Sequence, residues 1–170
     1  QRQMCIRDSP YAAWSKDHLV RRKCSSGGAG FEIGKYLLEQ GYKVCGVRYD
    51  ADKNRAEHYI ATTIEELIQS AGSKYIQSYT LDGFKAINRK EKYLVTGTPC
   101  QIDSFRRYIQ KFRCEDNFVL LDFFCHGVPS MLAWKKYTEW AEKQVGKITY
   151  ASWRNKWTGW HDSWAMGIDG

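Results

Sequence analysis

Apolar and polar positions in this chain follow two periods, and the switches between them divide it into elements. Ile33, Leu37 and Leu38 fall on one helical face, and Gly41 follows as a stop. "YKVCGVRYD" (42–50) then reads as a strand. Thr63 with Glu66 three residues on is a capping box, and Gly72 closes the segment, so 63–71 is predicted as a helix. "YLVTG" (93–97) is a strand ending in a glycine turn, and Ile102, Phe105, Ile109 and Phe112 recur at helical spacing after it. "FVLLDFF" (118–124) is a near-continuous apolar run, as expected of a strand buried on both faces. Beyond "CHGVPS" (125–130), Ala133, Tyr137, Trp140, Ala141 and Val145 form one helical stripe ended by Gly146, and "KITYASWR" (147–154) is the next strand. A short strand is also predicted for "YAAWS" (11–15). Strands alternating with helices through short connections predict an α/β fold, with a mostly parallel sheet and covering helices in a single domain. Ligands of such sheets lie beyond the carboxyl ends of strands, where both "GTPC" (97–100) and "CHGVPS" fall.

The composition supports a folded chain: of 170 residues, 43% are hydrophobic and 15% aromatic. The longest apolar stretch, broken by Asp122, falls well short of the roughly 20 residues a membrane span needs. A net charge of +7 admits polyanions, phosphorylated cofactors or acidic membrane surfaces as partners, and equally a solvated basic surface. Six cysteines without a C-x-x-C, and no secretory signal, point to a reducing, cytoplasmic compartment. Residues 1–9, "QRQMCIRDS", lack any apolar period and resemble translated adapter read-through, so they are read as a non-native leader with 10–170 as the domain. "GWHDSWAMGIDG" reads as a strand cut short, so the domain is expected to be truncated at both ends.

"RRKCSSGG" (21–28) ahead of a helix offers backbone N–H groups, hydroxyls and a favourable dipole end to a phosphate. The dinucleotide fingerprint fails at Ile33 and the P-loop fails at Ala29 and Tyr36, so a capped turn without a ligand stays open beside the anion site. Cys100 and Cys125 follow successive strands and could face one pocket as ligands of a soft metal or an iron–sulfur cluster, with Cys24 as a third candidate. Small buried cysteines are the competing reading; Cys45 lies inside a strand and Cys114 at a helix end. His126 beside Cys125 suggests a thiol and its base, although adjacent side chains diverge in an extended loop. His18, His58 and His161 have no partner at metal-ligand spacing.

In combination, "YAAWSKD…RRKCSSGG", "GSKYIQS", "LVTGTPCQI", "DFFCHGVPS" and "WRNKWTGW" resemble the C-terminal domain of the coenzyme F420 hydrogenase/dehydrogenase beta subunit family, and most its polysaccharide-cluster subtype. The resemblance implies an oxidoreductase subunit that uses FAD and a [4Fe–4S] cluster for electron transfer. It places Ser25, Ser26, Gly27 and Gly28 at the flavin-contacting loop, Ser73, Lys74 and Tyr75 near the same flavin, and Thr98 among the cofactor-binding residues. Cys100 and Cys125 match the family's recurring cysteines, whereas Cys24 stands where serine is usual. Implied partners are a ferredoxin-like domain or subunit, absent from this sequence, and a deazaflavin or other small redox substrate. The alternative is a noncatalytic module whose basic surface meets a polyanion or nucleic acid, with "SWRNKWTGWHDSW" supplying aromatic rings for stacking.

Overall fold

The computed structural model describes residues 11–157, 159, 160 and 165–169. The leader 1–9 with Cys5, and His161 and Trp164 near the other end, lie outside them. The chain enters as an extended segment and turns into α1 (His18–Lys23), whose first N–H groups are capped by the Asp17 carboxylate. The strand predicted over 11–15 is absent, because this stretch has no ladder partner and is fixed by Ser15 N–H donating to Gly27 O at 2.8 Å. After the loop at 24–28 comes α2 (Ala29–Glu39), ended at Gly41, whose φ of +81° suits glycine.

β1 (Lys43–Asp50) turns through Asn54 into an antiparallel partner, β2 (Arg55–Ala61), which its charged start hides in the sequence. The helix expected over 63–71 is shorter: α3 (Ile64–Leu67) passes into a 3-10 turn at Ile68–Ser70. Thr63 caps it as predicted, and Glu66 receives the N–H and hydroxyl of Thr62. β3 (Ser78–Tyr79) and α4 (Leu81–Lys85) complete the first half of the chain. β4 (Tyr93–Gly97), α5 (Pro99–Lys111) and β5 (Phe118–Asp122) follow, then α6 (Met131–Val145) and a hairpin of β6 (Tyr150–Asn155) and β7 (Ala165–Asp169).

The main sheet has the order β3-β2-β1-β4-β5, parallel at every pairing but β1 with β2, which bears out the α/β reading. Alternation along β1 and β4 feeds two cores. Cys45, Tyr93 and Val95 pack on Ile102, Phe105 and Ile109 of α5, while Val44 and Leu94 pack with Tyr59, Ala61 and Leu67 toward Phe31, Leu37 and Leu38 of α2. A third cluster joins Ala56, Ile76, Trp134 of α6 and Ala151 of β6. The run 118–124 is not buried on both faces: β5 is an edge strand, Phe118, Leu120 and Leu121 are partly buried, Val119 is exposed, and Phe123 and Phe124 are exposed beyond its end. No helix among the described residues is long and apolar enough to cross a membrane.

Candidate functional site

The segments singled out in the sequence are knitted together by hydrogen bonds. Ser25, itself buried, accepts the Ser73 N–H on its Oγ at 2.8 Å, so the glycine loop and the "GSKY" segment touch. Gln101 holds a second junction: its Oε1 accepts the Thr98 N–H at 3.0 Å as the helix-capping partner, and its Nε2 donates to Ser78 Oγ at 2.9 Å. "GTPCQ" is thereby tied to β3. The T-x-x-Q spacing that marks Gln101 is visible in the sequence, next to the more conspicuous cysteine.

Lys156 closes the arrangement from far along the chain. Its buried ammonium donates to the carbonyls of Arg21 at 2.7 Å, Ser26 at 3.1 Å and Cys24, and lies 3.8 Å from the centre of the Trp160 ring. Burial lowers its pKa, against the pull of Cys24. No local pattern in the sequence marks this residue. The contact also changes the reading of "SWRNKWTGWHDSW" as a stacking platform, since Lys156 is turned inward and Trp153 packs edge-on against Tyr49 at 5.8 Å.

Two glycines of the loop are required by the fold itself. A Cβ on Gly27 would come within 2.9 Å of Trp14 Cβ and 3.1 Å of Ala13 O, and Gly28, the N-cap of α2, has a φ of +83°. Among the described residues, the N–H groups of Ser25, Ser26, Gly27 and Gly28 have no acceptor. Consecutive unpaired N–H groups beside hydroxyls at a helix N-terminus form a donor set suited to a phosphate.

Cys24 lies against the loop as a buried thiol, its pKa raised by burial despite the Gly72 N–H and the charges of Lys156 and Lys74. It is thus a poor thiolate as held here. Lys74 donates to the carbonyls of Gln69 at 2.9 Å and Ala71 at 3.3 Å, and burial pulls it down to about 8, with Cys24 opposing and Lys23 adding. Tyr75 and Ser73 are exposed at the surface of the same segment. A cavity of about 270 Å³ opens next to Cys24, lined by Val20, Lys23, Phe31, Lys35 and Ile68. That is below the roughly 300–1,000 Å³ of sites that enclose a whole ligand.

Cys100 and Cys125 follow neighbouring parallel strands, β4 and β5, as the sequence predicts, and both are exposed. Thr98 Oγ1 meets Cys100 Sγ at 3.1 Å, and the Gly127 N–H donates to Cys125 Sγ at 3.4 Å. His126 is exposed beside it, and His58 is a core residue with Nε2 at 3.2 Å from Thr96 O. No group of three or more His, Cys, Asp or Glu among the described residues is placed to hold a metal ion. A four-thiolate cluster therefore does not fit within them.

Two family profiles cover this architecture, both of the beta subunit of coenzyme F420 hydrogenase/dehydrogenase. The profile of its N-terminal region matches residues 10–85, and that of its C-terminal region matches residues 90–169. The chain belongs to this family of oxidoreductase subunits. The glycine loop and "GSKY" lie in the first matched region; Cys100, Cys125 and Lys156 lie in the second. The sheet spans the two, because β1 pairs with β4. A coenzyme F420 hydrogenase subunit beta from Methanococcus voltae is 32% identical over 123 residues, covering 67% of this chain and 44% of that protein. The fold is shared with a chain in the xenon-derivatised F420-reducing [NiFe] hydrogenase complex from Methanosarcina barkeri, at TM-score 0.64 and 21% identity over 81% of this chain and 52% of that one. The chain thus spans about half the length of these relatives.

Proposed function

We propose that this chain is the flavin-binding part of an electron-transfer oxidoreductase subunit, with the pyrophosphate of FAD held by the Ser25–Gly28 loop. The observation that carries the reading is the run of unpaired N–H groups in that loop, in a chain that belongs to an oxidoreductase family. The Ser26 hydroxyl adds a donor, and Ser73, Lys74 and Tyr75 adjoin through the Ser25 bond. Thr98 lies where "GTPCQ" meets β3. A bound FAD supplies the capacity to take up a hydride and release single electrons; the protein's part is to bind and orient it. Cys100 and Cys125 are a proposed thiolate pair at the sheet edge, and a [4Fe–4S] cluster there takes further ligands from outside the described residues. The proposed partners are a ferredoxin-like domain or subunit and a small redox substrate such as a deazaflavin.

The test is titration of the purified chain with FAD, followed by flavin fluorescence and by reduction with dithionite. Stoichiometric binding of a reducible flavin supports the proposal, and failure to bind FAD overturns it.

A further inference from the structure

We propose that Lys156 is a positioning residue that sets the Ser25–Gly28 loop for an anion by holding its carbonyls on the opposite side. The inference rests on the flavin reading of that loop and concerns how the loop is shaped for it.

A peptide unit is planar and trans, so its C=O and the N–H of the next residue point in opposite directions. Lys156 Nζ gathers the carbonyls of Cys24 and Ser26, and the N–H groups of Ser25 and Gly27 consequently point away from it. Gly27 O is drawn to the Ser15 N–H at 2.8 Å, which turns the Gly28 N–H away from Ser15. These are three of the four N–H groups that lack an acceptor among the described residues. Without a cation, three carbonyls converging on one buried point would repel one another and need water or a rearranged loop. Held by an ammonium, they stay fixed, and the charge behind the loop adds to the attraction for an anion in front. Trp160 covers the ammonium with its ring, a favourable cation–π placement that also limits access of water. Since Lys156 lies in the C-terminal matched region and the loop in the N-terminal one, the second region shapes the site carried by the first.

Binding of inorganic pyrophosphate, FAD and riboflavin to the full chain and its variants tests this. Riboflavin lacks phosphate, so a defect confined to the cradle spares it. Lys156→Met is expected to weaken pyrophosphate and FAD by about tenfold, the scale of one charge-assisted interaction, with riboflavin affinity unchanged. Lys156→Arg, which keeps the charge but not the compact geometry, should restore part of the loss. If Lys156→Met has no cooperative melting transition, Lys156→Gln, which keeps a donor without the charge, takes its place with the same expectation. A folded variant that binds pyrophosphate and FAD like the wild type overturns the role of Lys156 and leaves the flavin reading standing. So does equal weakening of all three ligands. Wild-type protein that binds flavin but not pyrophosphate also overturns the role of Lys156, and wild-type protein that binds none of the three overturns both proposals.

Discussion

The Ser73 N–H donates to Ser25 Oγ at 2.8 Å and joins two loops that lie 48 positions apart in sequence. Removing the acceptor leaves that N–H unpaired beside a buried position. Ser25→Ala is expected to cost about 1 kcal/mol, seen as a fall in Tm of about 2–4 °C in a domain of this size. An unchanged Tm would show that water replaces the hydroxyl at no loss.

The glycines make a separate prediction. Gly28→Ala places a side chain at a φ of +83°, which costs about 1–2 kcal/mol, and Gly27→Ala drives a Cβ into the backbone of Ala13 and Trp14. Both variants should melt lower with no flavin present. Loss of flavin in either would then report on the fold before it reports on the cofactor, whereas the Lys156 variants are read against riboflavin binding, which separates the two. A Gly28→Ala protein as stable as the wild type would contradict the conformation described.

Three cysteines separate packing from ligation. Cys45 is fully buried and its thiol is pushed up to about 12, so Cys45→Ser should destabilise the chain by about 1–3 kcal/mol through an unpaired hydroxyl. Cys100→Ser and Cys125→Ser, at exposed positions, should leave Tm nearly unchanged. After anaerobic reconstitution, with iron and sulfide, of protein that carries the further cluster ligands, these two variants should each hold less of both than the wild type, while Cys45→Ser holds as much. Equal iron and sulfide in all three would remove Cys100 and Cys125 from consideration as ligands.

Lys74 gives a pH dependence with a definite sign. Its ammonium titrates near 8 in the fold against an ordinary 10.5, so between these values the unfolded chain holds the extra proton. Stability therefore gains from this group as pH rises from about 8 toward 10.5, and the burial penalty is fully present below that window. The Tm of the wild type relative to Lys74→Met should climb between pH 8 and 10. A flat difference would mean that the Lys74 ammonium is solvated.

The elements that can be read from sequence are those whose local pattern and tertiary role agree. β4 and α5 carry their apolar period on the face they bury, apart from Phe112, which is exposed just past the helix; α2 buries Phe31, Leu37 and Leu38 but leaves Ile33 exposed, and Cys100 and Cys125 follow the parallel neighbours β4 and β5. β2 escapes such a reading because Arg55 and Glu57 break its apolar run. Glu57 is nevertheless buried, held by Arg48 at 3.0 Å, Lys53 at 3.1 Å and Arg55 at 3.2 Å, a compensation that periodicity cannot show. "FVLLDFF" misleads in the opposite direction, since continuous apolarity marks a central strand only when both faces are covered. At the site, the Ser–Ser–Gly–Gly loop is recognisable by composition and spacing. Lys156 is not, because its partners are backbone carbonyls of residues more than a hundred positions away, and backbone carbonyls carry no sequence signature.

The span of the Lys156 contact also orders events during synthesis. Ser26 leaves the ribosome 130 residues before Lys156 does, an interval on the order of ten seconds at roughly 5–20 residues per second. Through that interval the carbonyls of Cys24 and Ser26 lack the ammonium that will hold them, so the loop of the nascent chain has not yet taken its final shape. Completion of the cradle is therefore a late step, and emergence of the β6–β7 hairpin from the ribosome, more than formation of the first helices, times the arrival of a binding-competent protein.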